Sequence, residues 1–354
     1  MKHLYYTHAP FTDHLLPACA GFGIHKPHLP WAVPERFFRG YNPASLPLAL
    51  HKDIPTDMPP IAWHRGQWGH FNHSFDPIAG HVSDEIAREA RHGYFAAVSF
   101  ADDLVGKALD ALDETGKAND TVVLLTADHG WQLGEHNEWC KQTLFDVTLH
   151  IPFIIRAPGT KFGRSGQHTG AFAELVDLYR TLAELAGLHA PAADVDGQSL
   201  APLLDNPEPT VGEAYKQAAY SQMARCLLCL SKPDGKNGGM CPSGGKPGQT
   251  YSPYIAKDDC ADTPKETLGW MGFSIRTPAW RFTQWVAWDG ARLQPNWAQV
   301  NATELYTHAC DTPLCDNDFD AYDNVNVAAD PSHASTVAAL EAQLRRHYEN
   351  SSVY

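Results

Sequence analysis

Long apolar runs are missing from this chain. No stretch approaches the roughly 18 residues that a membrane-spanning helix needs, so the sequence offers no membrane span. Basic residues are scarce too. Lys and Arg number 27 against 41 Asp and Glu, a formal net charge of −14. A nucleic-acid binder shows a basic face, and a protein that coats long polyanions needs one as well. Both classes are excluded, and any anionic substrate must be met by a local basic pocket. The opening, MKHLYYTHAP, has no apolar core of a secretory signal. No internal repeat is present. What remains is a globular balance, 44% hydrophobic and 19% charged over 354 residues. A chain of this size buries a sizeable core without help from disulfides.

The eight cysteines leave the compartment open. Cys226, Cys229, Cys241 and Cys260 share a Gly/Lys/Pro-rich stretch, Cys310 and Cys315 are close neighbours, and Cys19 and Cys140 stand alone. Cys-x2-Cys can open a zinc site, but the spacing does not repeat, so disulfides or free thiols in an insertion are favoured over zinc. Sequons at Asn72, Asn119, Asn301 and Asn350 become glycan acceptors if the chain enters a secretory pathway.

The pattern of elements predicts an α/β fold. Ala18 to Ile24 (ACAGFGI) reads as a buried strand ending at His25. Residues 27–82, rich in Pro, His and aromatics, read as a long irregular surface region. Ser83 is a candidate N-cap for a helical run to about Glu114, stopped at Gly116, with a junction of two helices near Phe100. Thr121 to Thr126 (TVVLLT) and Ile151 to Arg156 (IPFIIR) are β-branched and aliphatic runs suited to central strands. Glu174 to Ala186 is an amphipathic helix ended by Gly187. This alternation predicts a mainly parallel sheet flanked by helices over residues 1–206. Residues 207–354 form a smaller α+β lobe with an insertion at about 226–267. In it GWMGFSI and WRFTQWVAW make an antiparallel pair, Leu305-Tyr306 a short strand, and Ser335 to Tyr348 a last helix.

The chemistry concentrates in Thr126 to Lys141, TADHGWQLGEHNEWCK. Asp128 and His129 follow a strand, at the sheet edge where open α/β folds bind ligands. A carboxylate beside an imidazole can hold a divalent cation; the plainer alternative is a solvated Asp-His pair in a turn. Gly130 is expected to let the backbone turn sharply, and Lys141 to add a positive charge. DHGWQLGEHNEWCK followed by FDVTLHIPFIIRAPG closely resembles the sulfatase family. FGIHKPHLPW, GYFAAVSFADDLVGKALDALD, ELVDLYRTLAELAGL, DGQSL, YSQM and MGFSIRTPAWRFTQWVAW agree with it in order, covering roughly residues 18–330.

The resemblance implies an alkaline-phosphatase-like α/β fold that hydrolyses sulfate esters at a calcium site. The implied substrate is a sulfated uronic acid at the end of a glycan, in a lysosomal or secreted setting. Asp128 and His129 match two metal ligands. His28 and Lys141 match residues that contact the sulfate or assist the leaving group, with Lys26 supporting His28. Trp131 is expected at the substrate. Arg276 matches an arginine of the C-terminal lobe, either at the substrate or in packing and ion pairing; His28 can also be read as filling its loop. These roles suit a transition state that needs concentrated positive charge and a proton for the leaving alkoxide.

Two family features are not found. No cysteine stands in Cys-x-Pro-Ser-Arg, the motif whose cysteine becomes the formylglycine nucleophile; Cys241 begins Cys-Pro-Ser-Gly-Gly instead. The paired aspartates of the metal-binding strand are absent as well, since Asp102-Asp103 falls inside the predicted helix. The expectation is that the family's first third, with nucleophile and two metal ligands, lies outside this chain. The chain alone is then catalytically incomplete, with a missing segment or second chain as its partner. The alternatives are a binding protein that keeps the pocket without the chemistry, or a related phosphonate or phosphate ester hydrolase on the same scaffold.

Overall fold

The computed structural model describes residues 19–64, 81–158, 166–188, 195–206, 216–225, 260, 264–308 and 322–349. Cys226, Cys229, Cys241, Cys310 and Cys315 lie outside the described residues, as does the body of the predicted insertion.

After a four-residue helix α1 (Glu35–Phe38), the main helix is α2, Asp84–Glu114. The Ser83 side chain caps it by accepting from the Ile86 amide at 3.3 Å. Asp84 and Glu85 fill its first turn, where the helix dipole favours acids. The expected break near Phe100 does not occur: the 31 residues are continuous, because neither glycine nor proline interrupts that turn. Gly116, at φ +68, ends it, with the Lys117 amide bonded back to Leu112 O at 3.0 Å. Asp103 faces outward on α2 and pairs with Lys107 at 2.6 Å, consistent with its exclusion from a metal-binding strand.

Strands β1 (Val123–Thr126) and β2 (Phe153–Arg156) pair with each other, but antiparallel, with Leu125 opposite Ile154. This corrects the parallel pairing predicted for these two strands. A parallel pair needs a crossover element. Between them lie only the turn Glu135–Asn137 and the single-turn helix α3 (Asp146–Leu149), so the chain doubles back. One face of the pair packs under Leu185 of α4 (Leu178–Leu185) through Ile155 and Ala157. The segment Cys19–Ile24 is not a strand and is largely exposed, contrary to its apolar composition: no described strand pairs with it.

The C-terminal part is a four-stranded antiparallel sheet in the order β3 (Ala219–Arg225), β4 (Trp270–Arg276), β5 (Trp280–Asp289), β6 (Gln294–Thr307). The predicted β4–β5 pair is present; Leu305-Tyr306 is the end of a 14-residue strand. Strand alternation sends Phe273, Ile275 and Phe282 to one face, against Leu340, Leu344 and Tyr348 of helix α5 (Ala334–Glu349). Trp285 and Tyr306 point to the other face, where they meet Met58, Ile61, Trp63, Leu144 and Phe145. Residues 27–64 are irregular as predicted, yet they are not mere surface: Met58 to Trp63 form part of this second core. Both faces of the sheet are therefore covered, and the layer that covers one of them includes the loop after β1.

Candidate functional site

The loop from Asp128 to Phe145 leaves β1 and folds back on itself. The Gln132 amide donates to Cys140 O at 2.7 Å and the Gly134 amide to Glu138 O at 2.8 Å. Gly130 serves close approach rather than a sharp turn. Its amide donates to Thr148 O at 2.8 Å, and a Cβ there would sit 2.2 Å from Val147 O. Arg91 of α2 clamps the loop through Leu133 O at 2.9 Å and Glu135 at 2.5 Å, while holding Pro47 O at 2.9 Å. Its partner Glu135 is nearly as buried, so the pair is charge-assisted and shielded from water. His136 donates through Nε2 to Tyr322 O at 3.2 Å, which leaves Nδ1 to accept from Gln132 at 3.0 Å.

This clamped loop presents Trp131 and Lys141 together: the Lys141 Nζ lies 5.9 Å from the Trp131 ring centre. The His-Lys-Pro-His turn meets them. His28 stands edge-on to Trp131 at 6.0 Å, and His25 lies 4.8 Å from His28. The turn docks on α2 through Trp31, which packs edge-on against Tyr94 at 5.8 Å and Trp131 at 6.4 Å and donates to Pro27 O at 2.8 Å. His28 Nδ1 donates to Leu29 O at 2.8 Å, which fixes the tautomer of the neutral ring with Nε2 unprotonated. Trp131 is buried, and its Nε1 has no hydrogen-bond partner among the described residues.

Lys26 behaves differently. Its ammonium turns back onto His28 O, at 3.2 Å, and onto Pro30 O, so it ties the turn together from within. His25 was not singled out from the sequence. Partial desolvation, then the charges of His28, Lys26 and Lys141, lower its pKa. Those neighbours place it in the same electropositive patch as Lys141. The signal was available, since His25 and His28 flank one Lys-Pro dipeptide in HKPH.

Asp128 and His129 sit at the exposed C-terminal end of β1. His129 Nδ1 donates to Gly130 O at 2.8 Å, so Nε2 carries the lone pair, 3.4 Å from Asp128 Oδ2. An imidazole oriented by a backbone carbonyl beside a largely exposed carboxylate suits two donors of a divalent cation. Among the described residues, no group of three or more His, Cys, Asp and Glu side chains is arranged for a metal. Calcium takes about 6–8 oxygen ligands, so this pair fits as part of a site and does not complete one.

Arg276 is not brought to the Lys141 patch by any contact among the described residues. Its guanidinium donates to Asp146 at 3.3 Å and to Thr277 O, and lies 5.9 Å from the Phe172 ring. It belongs to a buried ion network. Arg281 bonds Asp146, Leu144 O at 2.9 Å and Asp323 at 3.1 Å, and His308 Nε2 meets Asp323 at 2.8 Å. Burial would raise both aspartates, but Arg281, with His150 and His308 at Asp146 and with His308 and the Asp146 amide at Asp323, outweighs it and brings Asp146 to about 2 and Asp323 well below the usual range. A second buried group joins the loop to the sheet. Arg225 lies over Trp285 and donates to Ile61 O and Ala62 O. Burial raises Glu138 to about 8 and Glu304 to about 7; the Glu304 carboxylate takes bonds from Trp285 and Tyr306, both at 2.7 Å. Periodicity in the sequence did not mark these charges; Arg281 and Glu304, for example, are set among aromatics in WRFTQW and ELY.

With this geometry in view, relatives are informative. A sequence model of the sulfatase family matches residues 20–188. The chain is 30% identical to iduronate 2-sulfatase of Mus musculus, over 92% of this chain and 60% of that protein. Identity is also 30% to iduronate 2-sulfatase of Homo sapiens, over 86% of this chain and 58% of that protein. Among solved structures, the phosphonate monoester hydrolase of Silicibacter pomeroyi superposes with a TM-score of 0.58 at 26% identity, over 91% of this chain and 54% of that one. The chain thus spans about 60% of the length of the curated relatives it matches. The segment matched by the family model carries the His-Lys-Pro-His turn, β1 and the clamped loop, and over residues 20–188 the chain matches the sulfatase family.

Proposed function

We propose that this chain forms the substrate-facing part of a sulfuric ester hydrolase of the iduronate-2-sulfatase type, acting on sulfated uronic acid residues of glycans. The observation that carries this reading is the convergence of His25, His28, Trp131 and Lys141, two of which stand on the loop that begins with the Asp128–His129 pair. Lys141 supplies fixed positive charge to the sulfate. His28, protonated, hands a proton to the leaving alkoxide. Trp131, largely buried, packs behind His28 and Lys141 and holds them in place for the sugar. Asp128 and His129 would hold part of a calcium site, and the bound ion would supply positive charge to the sulfate group. Lys26 positions His28, and Arg276 supports the loop through Asp146.

The sequence holds no Cys-x-Pro-Ser-Arg nucleophile. By itself the chain is therefore expected to bind the ester without turning it over, with nucleophile and remaining metal ligands supplied by a further segment or chain. Calorimetric titration with a 2-sulfated iduronate disaccharide tests this, alongside a sulfate-release assay. The expected result is saturable binding, weakened at least about tenfold by Lys141→Ala, which is about 1.4 kcal/mol, and no free sulfate. Absence of binding sinks the site assignment; sulfate release sinks the incompleteness. The similarity to a phosphonate monoester hydrolase favours one second reading, which tighter binding of a phosphonate monoester than of the sulfated sugar would support.

A further inference from the structure

Two of the sequons fall among the described residues, and both asparagines are exposed. Asn119 opens Asn119-Asp120-Thr121 and lies in the turn Ala118–Asp120 that joins α2 to β1. Asn301 opens Asn301-Ala302-Thr303 on β6. There the register with β5 passes from Trp285 opposite Ala302 to Val286 opposite Val300. Asn301 is the residue left over, the extra member of a β-bulge. A bulge leaves such a residue without a cross-strand partner and re-aims its side chain. Strand β6 also lies at the end of the four-stranded order.

A separate observation bears on the compartment. Cys260 is disulfide-bonded. Persistent disulfides belong to oxidising compartments, and N-linked glycosylation belongs to the secretory route that leads through one. We propose that Asn119 and Asn301 carry N-linked glycans.

In the transfer, the carboxamide nitrogen attacks C1 of the reducing-end sugar of an oligosaccharide carried on a lipid diphosphate. The C1–N bond forms and the C1–O bond to the diphosphate breaks. The lipid diphosphate leaves with the bonding pair, and the amide proton passes to a base. The two positions suit bulky additions. Asn119 precedes β1, whereas Asp128 follows it, so a glycan there stands at the opposite end of the strand from the Lys141 patch. A glycan at Asn301 stands on a border strand, where it would obstruct strand-to-strand association between molecules.

The test uses protein purified from its natural source and treated with peptide-N-glycosidase, which releases the glycan and leaves aspartate. The expected result is a fall in intact mass, with peptides covering positions 119 and 301 appearing as aspartate only after treatment. Unmodified asparagine at either position in untreated protein overturns the assignment for that residue. Asn119→Gln and Asn301→Gln, produced in the same cells, should each remove one step of the electrophoretic shift. A double variant that keeps every step overturns the proposal, and this readout holds even for material that folds poorly. Asn72 and Asn350 lie outside the described residues and are distinguished at the peptide level.

Discussion

Replacing Asp323 with Asn should destabilise the chain by about 3–5 kcal/mol, the usual cost of breaking a buried ion pair from one side. The side chain is 1% exposed, as is that of Arg281, whose Nε it binds. It also accepts from the Asp146 amide at 2.7 Å and meets His308 Nε2 at 2.8 Å. In the native cluster two guanidiniums, Arg276 and Arg281, face two carboxylates, Asp146 and Asp323. Asn fills the same volume, so no cavity opens; what changes is that one buried positive charge loses its counter-ion. Set against a total stability of about 5–15 kcal/mol, this is a large fraction. Urea denaturation followed by tryptophan fluorescence reads it directly, since Trp280 and Trp285 lie on the same strand as Arg281. With a slope of about 2–3 kcal/mol per molar, the midpoint should fall by on the order of 1–2 M. A loss under about 1 kcal/mol would mean that the network is hydrated in solution, and the argument from burial would fail.

Acidification should stabilise the chain between about pH 8 and pH 5. Burial raises Glu138 to about 8 and Glu304 to about 7 from an ordinary 4.5, so these two carboxyls bind more protons in the folded than in the unfolded state across that interval, against the smaller opposite contribution of the lowered His25, His308 and His347 below about pH 6.5. The contribution of the two glutamates is full below the unfolded value and is lost as pH rises through the folded values. Asp146 titrates near 2 and stays ionised throughout. Thermal melts at pH 5 and pH 8 check the sign, and Glu138→Gln with Glu304→Gln should flatten the difference; a melt that rises with pH refutes it. Gly130→Ala would drive a methyl into Val147 O and shift the loop that carries Lys141, so anion affinity measured by calorimetry should drop more than thermal stability does. Leu344→Ala removes a fully buried side chain between α5 and the C-terminal sheet and should cost about 2–5 kcal/mol in urea denaturation, with anion affinity in water unchanged.

Much of the fold was legible because local patterns and long-range packing agree. Ser83 and Gly116 bracket α2, and the aromatic run of β4 and β5 alternates between two cores. Strand direction was not legible. Val123–Thr126 and Phe153–Arg156 have the composition of buried parallel strands, but direction depends on the connection, and hydropathy does not show that residues 127–152 lack a crossover helix. Cys19–Ile24 misled for a related reason: apolar composition makes a strand only where a neighbour offers backbone groups to pair with. In the candidate site, the motif indicated that Asp128, His129, Trp131 and Lys141 share the segment after a strand, and they stand on the loop that leaves β1. Spacing alone did not separate the ring of His28, turned toward Trp131, from the ammonium of Lys26, turned back onto its own turn. Nor did it assign Arg276, whose partner Asp146 is distant in sequence.

The loop between β1 and α3 is fastened at several places: to α2 through Arg91 and Glu135, to Tyr322 through His136, and to β5 where Arg281 grips Leu144 O and Asp146. It therefore acts as a shared beam between the early part of the chain and the C-terminal sheet. Loosening either support displaces Lys141, so the patch has no stability of its own to fall back on. Anion affinity and amide-exchange protection in the C-terminal sheet should vanish at the same denaturant concentration, leaving no interval in which a half-opened chain still binds.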